Sequence, residues 1–151
     1  MEKEGIINMT AEDFALGWCK VDEGYKRFPY LDTEGIMTVG YGRNLITTGI
    51  REEEAAFMLG KDVEGAARDL RNAFGWFGGL SVLRQAVLID MTVNMGLGRL
   101  MGFKRMLEAL EAGNFRQAAI EMLDSKWAKQ VHGRADKLAY VMRHDKVLVK
   151  Q

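Results

Sequence analysis

At Gly24 the chain changes period, and that switch narrows the folds open to it. Behind Thr10-Ala11-Glu12-Asp13, a capping-box start with Asp in the acid's place, Phe14, Trp18 and Val21 recur at helical spacing, so a first helix ends near Glu23-Gly24. Beyond Gly24 the apolar residues alternate. Phe28 and Tyr30 share one face, Asp32-Thr33-Glu34-Gly35 has turn chemistry, and Met37, Val39 and Tyr41 share the face of a second strand. A helix running straight into a glycine-turned hairpin is the element that the rest of the chain must support.

Successive strand side chains point to opposite faces, so Thr38 is turned away from Met37 and Val39, together with Gly40 and Gly42. A hydroxyl flanked by two absent side chains leaves room for a ligand. Glu23 ends the helix, Asp32 closes the first strand and Thr38 sits in the second, so the three can face one groove. One carboxyl to protonate a leaving oxygen and one ionised to activate water are what glycoside hydrolysis needs. Singly, each residue has a plainer reading: a solvated helix end for Glu23, an Asx turn for Asp32, an ordinary strand position for Thr38. Their joint spacing, with DTEG and TVGYG around them, favours the site.

A chain of 151 residues, 48% of them hydrophobic, suits a single domain with a real core in two lobes. Lysine plus arginine equals aspartate plus glutamate at 21 each, so no global field draws it to nucleic acid or an acidic membrane. Nor is there the basic stripe or aromatic platform that DNA binding needs. Cys19, the single cysteine, allows no internal disulfide and reads as a packed small apolar residue beside Trp18. With only His132 and His144 to join it, no metal site is expected, and no cofactor. The apolar run at Ile6-Ile7 is too brief for a secretory signal, and no run approaches the roughly 18 apolar residues of a membrane span.

After the hairpin, Asn44 to Thr48 is read as a connection with a short third strand at Leu45-Ile46. Gly49 to Phe74 reads as one long helix. Glu52, Glu53 and Glu54 form its solvated start, and Ala55, Leu59, Val63, Ala66, Ala67, Leu70 and Phe74 its apolar stripe. Gly60 and Gly65 inside it imply close packing or a bend. GWFGG at 75–79 breaks the helix, with Trp76 and Phe77 read as core in preference to a sugar platform. Ser81 caps the next helix, whose Val82, Ala86, Ile89 and Val93 make a central apolar face that ends at Asn94-Met95-Gly96. Short helices follow, one on Phe103, Met106 and Leu110, one capped by Asn114, one around Trp127, and a last one opened by Gly133. The ten methionines read as core filler.

In its DEG, DTEG and TVGYG segments, with Glu23, Asp32 and Thr38 at this spacing, the chain resembles the T-even-type bacteriophage lysozymes, glycoside hydrolase family twenty-four. The likeness continues through Lys61-Asp62-Val63, Leu70-Arg71-Asn72-Ala73, Asn94-Met95-Gly96, Gly102-Phe103, Ser125-Lys126-Trp127 and Arg134-Ala135, from about Phe14 to Arg143. It implies a lysozyme-like α+β fold: a small hairpin lobe with the first helix at about 14–50, a connecting helix at 51–74 and a helical lobe at about 75–151, with the substrate groove between the lobes. The implied reaction is inverting hydrolysis of the β-1,4 bond between N-acetylmuramic acid and N-acetylglucosamine in peptidoglycan. Glu23 would be the general acid, Asp32 the carboxylate that activates water, and Thr38 the hydroxyl that helps place it.

The resemblance also implies supporting roles. Arg134 would reach the catalytic glutamate, Asn94 would lie near the groove unless it caps its helix, and Gly40 would leave space beside Thr38. Lys137 would meet peptide carboxylates of the wall, with an ordinary exposed lysine as the plainer reading. A monomer is implied, held in the host cytoplasm until a separate holin opens a route to the periplasm and cell wall. Arg43 stands where the family commonly has a histidine in an ion pair, so an equivalent pair here would not titrate through a histidine range. The balanced charge and the short tail after His144 are further departures. Two rival classes share these residues: a lytic transglycosylase that uses Glu23 alone, and a non-catalytic wall-binding module such as a baseplate part.

Overall fold

The computed structural model describes residues 8–148; the Ile6-Ile7 run and the end of the tail fall outside them. The α+β class expected from the sequence is what the chain adopts. Among the described residues it forms a three-stranded antiparallel sheet and eight α-helices, and it divides into two compact units, Met1–Ala55 and Ala56–Gln151.

In the first unit α1 spans Ala11–Glu23. Thr10 accepts from the Asp13 amide and Asp13 from the Thr10 amide, so the capping box forms with Asp as the returning acid, and these bonds hold the Asp13 carboxyl below its ordinary pKa. Gly24, at φ 66°, ends the helix. Strands β1 (Lys26–Leu31), β2 (Met37–Gly40) and β3 (Arg43–Asn44) lie in that order, with Tyr30 opposite Thr38 and Thr38 opposite Asn44. Pro29 sits on the edge strand, inside the stretch between Lys26 and Tyr30 where the register shifts; an edge is where a residue without an N–H is tolerated.

Three expectations fail here. The third strand lies at Arg43–Asn44, not Leu45-Ile46, because the Asn44 side chain captures the Ile46 and Thr47 amides at 2.9 and 3.0 Å and bends the chain away. Tyr41 leaves the second strand, which ends at Gly40 with φ 67°. Cys19 is exposed on α1 rather than packed, since that helix buries none of its residues.

Helix α2 (Glu52–Ala73) begins three residues later than its apolar pattern suggests, after Gly49 at φ 63°. Only Ala66, Ala67 and Leu70 of its stripe are buried, while Leu59 and Val63 are exposed. Gly60 has open space where a side chain would stand, so close packing does not explain it.

The second unit holds the core. Phe77, in a 3-10 turn at Phe77–Gly79, is fully buried, and Trp76 stacks on Phe74 with ring centres 4.9 Å apart. Around Phe77 pack α3 (Val82–Met95), α4 (Leu97–Leu100), α5 (Lys104–Glu111), α6 (Phe115–Leu123), α7 (Lys126–Val131) and α8 (Gly133–His144), with Ser81, Asn114 and Ser125 capping α3, α6 and α7. Met91, Met106, Met122 and Met142 fill the interior.

The inward face of α3 is Val87, Leu88, Met91 and Thr92, one step round from the expected one, and Val82 is 80% exposed. A charged residue on the core side hid this. Arg84 lies under the end of α8, donating to the Met142 carbonyl at 2.8 Å and stacking over the Phe115 ring at 3.6 Å, so positions 84, 88 and 91 all turn inward.

Candidate active site

Within the first unit, the hairpin gathers the three residues through its backbone. The side chain of Asp32 closes the turn: Oδ1 accepts from the Glu34 and Ile36 amides, both at 2.8 Å, so the Asx reading is correct. That work occupies one oxygen. Oδ2 has no hydrogen-bond partner among the described residues, so a single carboxylate can build the turn and still offer an oxygen to a ligand.

Thr38 is tied to the same peptide unit. Its hydroxyl donates to the Ile36 carbonyl at 3.0 Å, and that carbonyl also accepts from the Asp32 amide at 3.0 Å. Ile36, which sequence reasoning passed over, is therefore the common anchor of both side chains. Thr38 is buried, closed in more than the alternation implied; with its proton committed inward, the oxygen keeps lone pairs for a water. The open space expected beside it is found at Gly40, where an added Cβ would touch nothing within 4 Å.

Glu23 meets the opposite end of β2. Its side chain lies over Gly42, where a Cβ would come within 2.7 Å of the Glu23 carboxyl carbon, and Gly42 itself has φ 68°. The left-handed backbone favours glycine here, and any side chain in its place would push the Glu23 carboxyl aside. Tyr25 and Tyr41, with ring centres 5.6 Å apart, fasten the end of α1 to the same turn. Glu23 and the Asp32–Thr38 pair thus meet one strand, β2, from its two ends.

Behind them Arg43 forms an ion pair with Glu54 and donates to the Gly49 carbonyl at 3.3 Å. Glu54 also accepts from the Arg51 amide at 2.8 Å, and this bond, with the nearby Arg43 and Arg51 charges, holds its carboxyl below its ordinary value against partial burial. The glutamate triplet is therefore more than a solvated helix start. Arg43 does take the ion pair expected of its position.

The remaining candidates belong to the second unit. Arg134 forms an ion pair with Asp90, its Nε donating to Oδ1 at 2.8 Å and its Nη2 to the Asp90 carbonyl at 3.4 Å. Asn94 does not cap α3, a position held by Gly96; its Oδ1 accepts from the Trp127 indole at 2.8 Å. Lys137 is exposed on α8. A hollow of about 660 Å³ opens beside Trp127 and Phe103, with Arg99, Lys104, Arg105 and Lys126 around it against Glu121 and Asp124. No metal-binding cluster occurs among the described residues, and no described helix is long and apolar enough to cross a membrane.

A sequence model of one family, phage lysozyme, matches residues 20–144. The chain belongs to the phage lysozyme family. The matched stretch holds Glu23, Asp32, Thr38 and every supporting candidate. Among curated relatives, the chain is similar to the pre-baseplate central spike protein of Enterobacteria phage T4, 26% identical over 149 residues, covering 80% of this chain and 26% of the spike protein. It is also similar to "Probable T4-type lysozyme 1" of Dictyostelium discoideum, 26% identical with 82% of this chain and 89% of the relative covered, and to "Probable T4-type lysozyme 2" of the same organism, 27% identical with 81% and 89% covered. The chain thus spans nearly all of two lysozymes and about a quarter of the spike protein. Family membership makes it a lysozyme-type glycoside hydrolase.

Proposed function

We propose that the chain is a muramidase, cutting the β-1,4 bond between N-acetylmuramic acid and N-acetylglucosamine in peptidoglycan with inversion at the anomeric carbon. The observation that carries this is the division of labour in Asp32: Oδ1 fixes the turn and Oδ2 is left for a water, while the Thr38 hydroxyl, anchored on the same Ile36 carbonyl as the Asp32 amide, has its proton already committed. In the proposed step Glu23 protonates the glycosidic oxygen as its bond to the anomeric carbon breaks. Water enters from the face of Asp32 and Thr38, gives its proton to Asp32, and forms the new bond. Thr38 accepts a hydrogen bond from that water and sets its direction. Gly40 leaves the sugar space, and Lys137 with the cationic hollow near Trp127 receives the carboxylates of the wall peptides.

Product analysis on purified peptidoglycan tests the reading. Hydrolysis leaves a reducing muramic acid end, first formed as the inverted anomer; an anhydro end would mark a transglycosylase instead, and a retained anomer would remove the water-placing role from Thr38. Glu23→Gln should keep its circular dichroism and lose at least a hundredfold in turnover, the scale of a general acid's contribution, roughly 10² to 10⁴. A folded but inactive parent would leave a wall-binding module.

For host lysis the enzyme would act as a monomer and reach the periplasm through a holin. The likeness to a spike protein favours a second setting, a lysozyme unit that opens the wall during phage penetration as part of a larger assembly. Sedimentation of the intact protein from infected cells separates the two: a free 17 kDa species for lysis, a particle-bound one for penetration.

A further inference from the structure

Asp32 is not the only turn residue with an atom to spare. In β3, Asn44 bends the chain in the same way, its Oδ1 accepting from the Ile46 amide at 2.9 Å and the Thr47 amide at 3.0 Å. Two backbone donors fix which end of the side chain is oxygen, so the other end is Nδ2, with two N–H groups. Among the described residues Nδ2 has no acceptor, and none of their buried side-chain nitrogens or oxygens is unpartnered, so Nδ2 keeps contact with solvent.

Register puts that amide at the candidate site. Thr38 stands in the middle strand, opposite both Tyr30 of β1 and Asn44 of β3. Residues directly opposite share a face, with Cβ atoms about 4.5 to 5.5 Å apart, so Asn44 lies on the Thr38 face, one strand over. Gly40, two residues on from Thr38, leaves that face open. An acceptor, Asp32 Oδ2, thus stands at the end of β1 and a pair of donors in β3, with the Thr38 hydroxyl in the strand between. The turn alone does not call for an amide, since at position 32 a carboxylate accepts from two backbone amides equally well. What the amide adds is a donor.

We propose that Asn44 is a substrate-binding residue, its Nδ2 donating to the acetamido carbonyl of the N-acetyl sugar held against the Thr38 face. A group that can only donate needs an acceptor, and the amide carbonyl is the strongest neutral acceptor that such a sugar carries. The inference rests on the proposed action on an N-acetylated glycan.

The test compares purified peptidoglycan with the same wall de-N-acetylated, in which the carbonyl is gone and an ammonium stands in its place. Asn44→Asp keeps the acceptor for the turn and replaces the donors with a carboxylate oxygen. The parent should favour the acetylated wall in kcat/KM, and Asn44→Asp should shrink that preference at least about tenfold, most of it through KM. Ile46→Asp, which places a carboxylate in the same loop at an exposed position, should keep the preference within about twofold of the parent's. No preference in the parent, a preference that Asn44→Asp leaves unchanged, or one that Ile46→Asp lowers as far, overturns the proposal. A parent that cuts neither wall refutes the enzyme reading instead. The side-chain amide resonances of Asn44 in the parent then judge the contact alone: they should shift on addition of the N-acetylglucosamine trimer and not of the glucosamine trimer. No shift with the first, or equal shifts with both, rejects the contact.

Discussion

Asp32 and Gly42 show how much chemistry one residue can hide behind a plain local role. The Asx-turn and catalytic readings of Asp32 looked like alternatives in the sequence, yet one oxygen serves each. Asp32→Asn should therefore keep the hairpin, since an amide oxygen can replace Oδ1, and abolish hydrolysis. Asp32→Ala should lose both, leaving two amides without their acceptor at a cost of about 1 to 3 kcal/mol in a urea titration. Gly42 was legible only as empty space beside Thr38. Its use lies on the other side, under the Glu23 carboxyl, a contact no spacing rule reveals because it joins a helix end to a turn. Gly42→Ala should lose most activity in a turbidity assay along with about 1 to 2 kcal/mol for the left-handed backbone. Gly113→Ala, at φ 71° with open space around it, should show the backbone cost alone and remain fully active.

Elements were legible where capping and turn chemistry fixed their ends, and obscure where a charge sat on an inner face. Thr10, Ser81, Asn114 and Gly133 marked helix starts correctly because their signals are local. The inward face of α3 was misread because Arg84 occupies it, and the third strand was displaced because Asn44 bonds its own neighbours. The start of α2 is fastened to the sheet unit by Glu54, and its lowered pKa gives a definite pH signature. A carboxyl that binds its proton more weakly when folded contributes stability that is complete above its ordinary value of 4.5 and lost as pH falls through the lower folded value. The gap in urea midpoint between the parent and Glu54→Gln should be constant near neutrality and close only in that acid range. A gap that persists at the acid end would reject the assignment.

Across the whole molecule, stability and candidate chemistry are unequally shared. The hydrophobic core lies entirely in the second unit, whereas in the first, among the described residues, only Thr38 is buried. Phe77→Ala should cost about 3 to 5 kcal/mol, and Trp18→Ala, at a site 65% exposed, no more than about 0.5 kcal/mol, both read from urea unfolding. Amide exchange should be slowest in α3 and fastest in α1. The hairpin that carries the triad candidates was readable from the sequence because its bonds are local; the packing of the second unit was read only as far as which helices exist. The exposed thiol of Cys19 stands one helical turn before Glu23, on the same side of α1, and no other cysteine exists in the chain. A fluorophore or nitroxide coupled to the unaltered protein would thus attach at a single point one turn from Glu23, and on the proposed mechanism would register the arrival of a glycan strand without any engineered reporter.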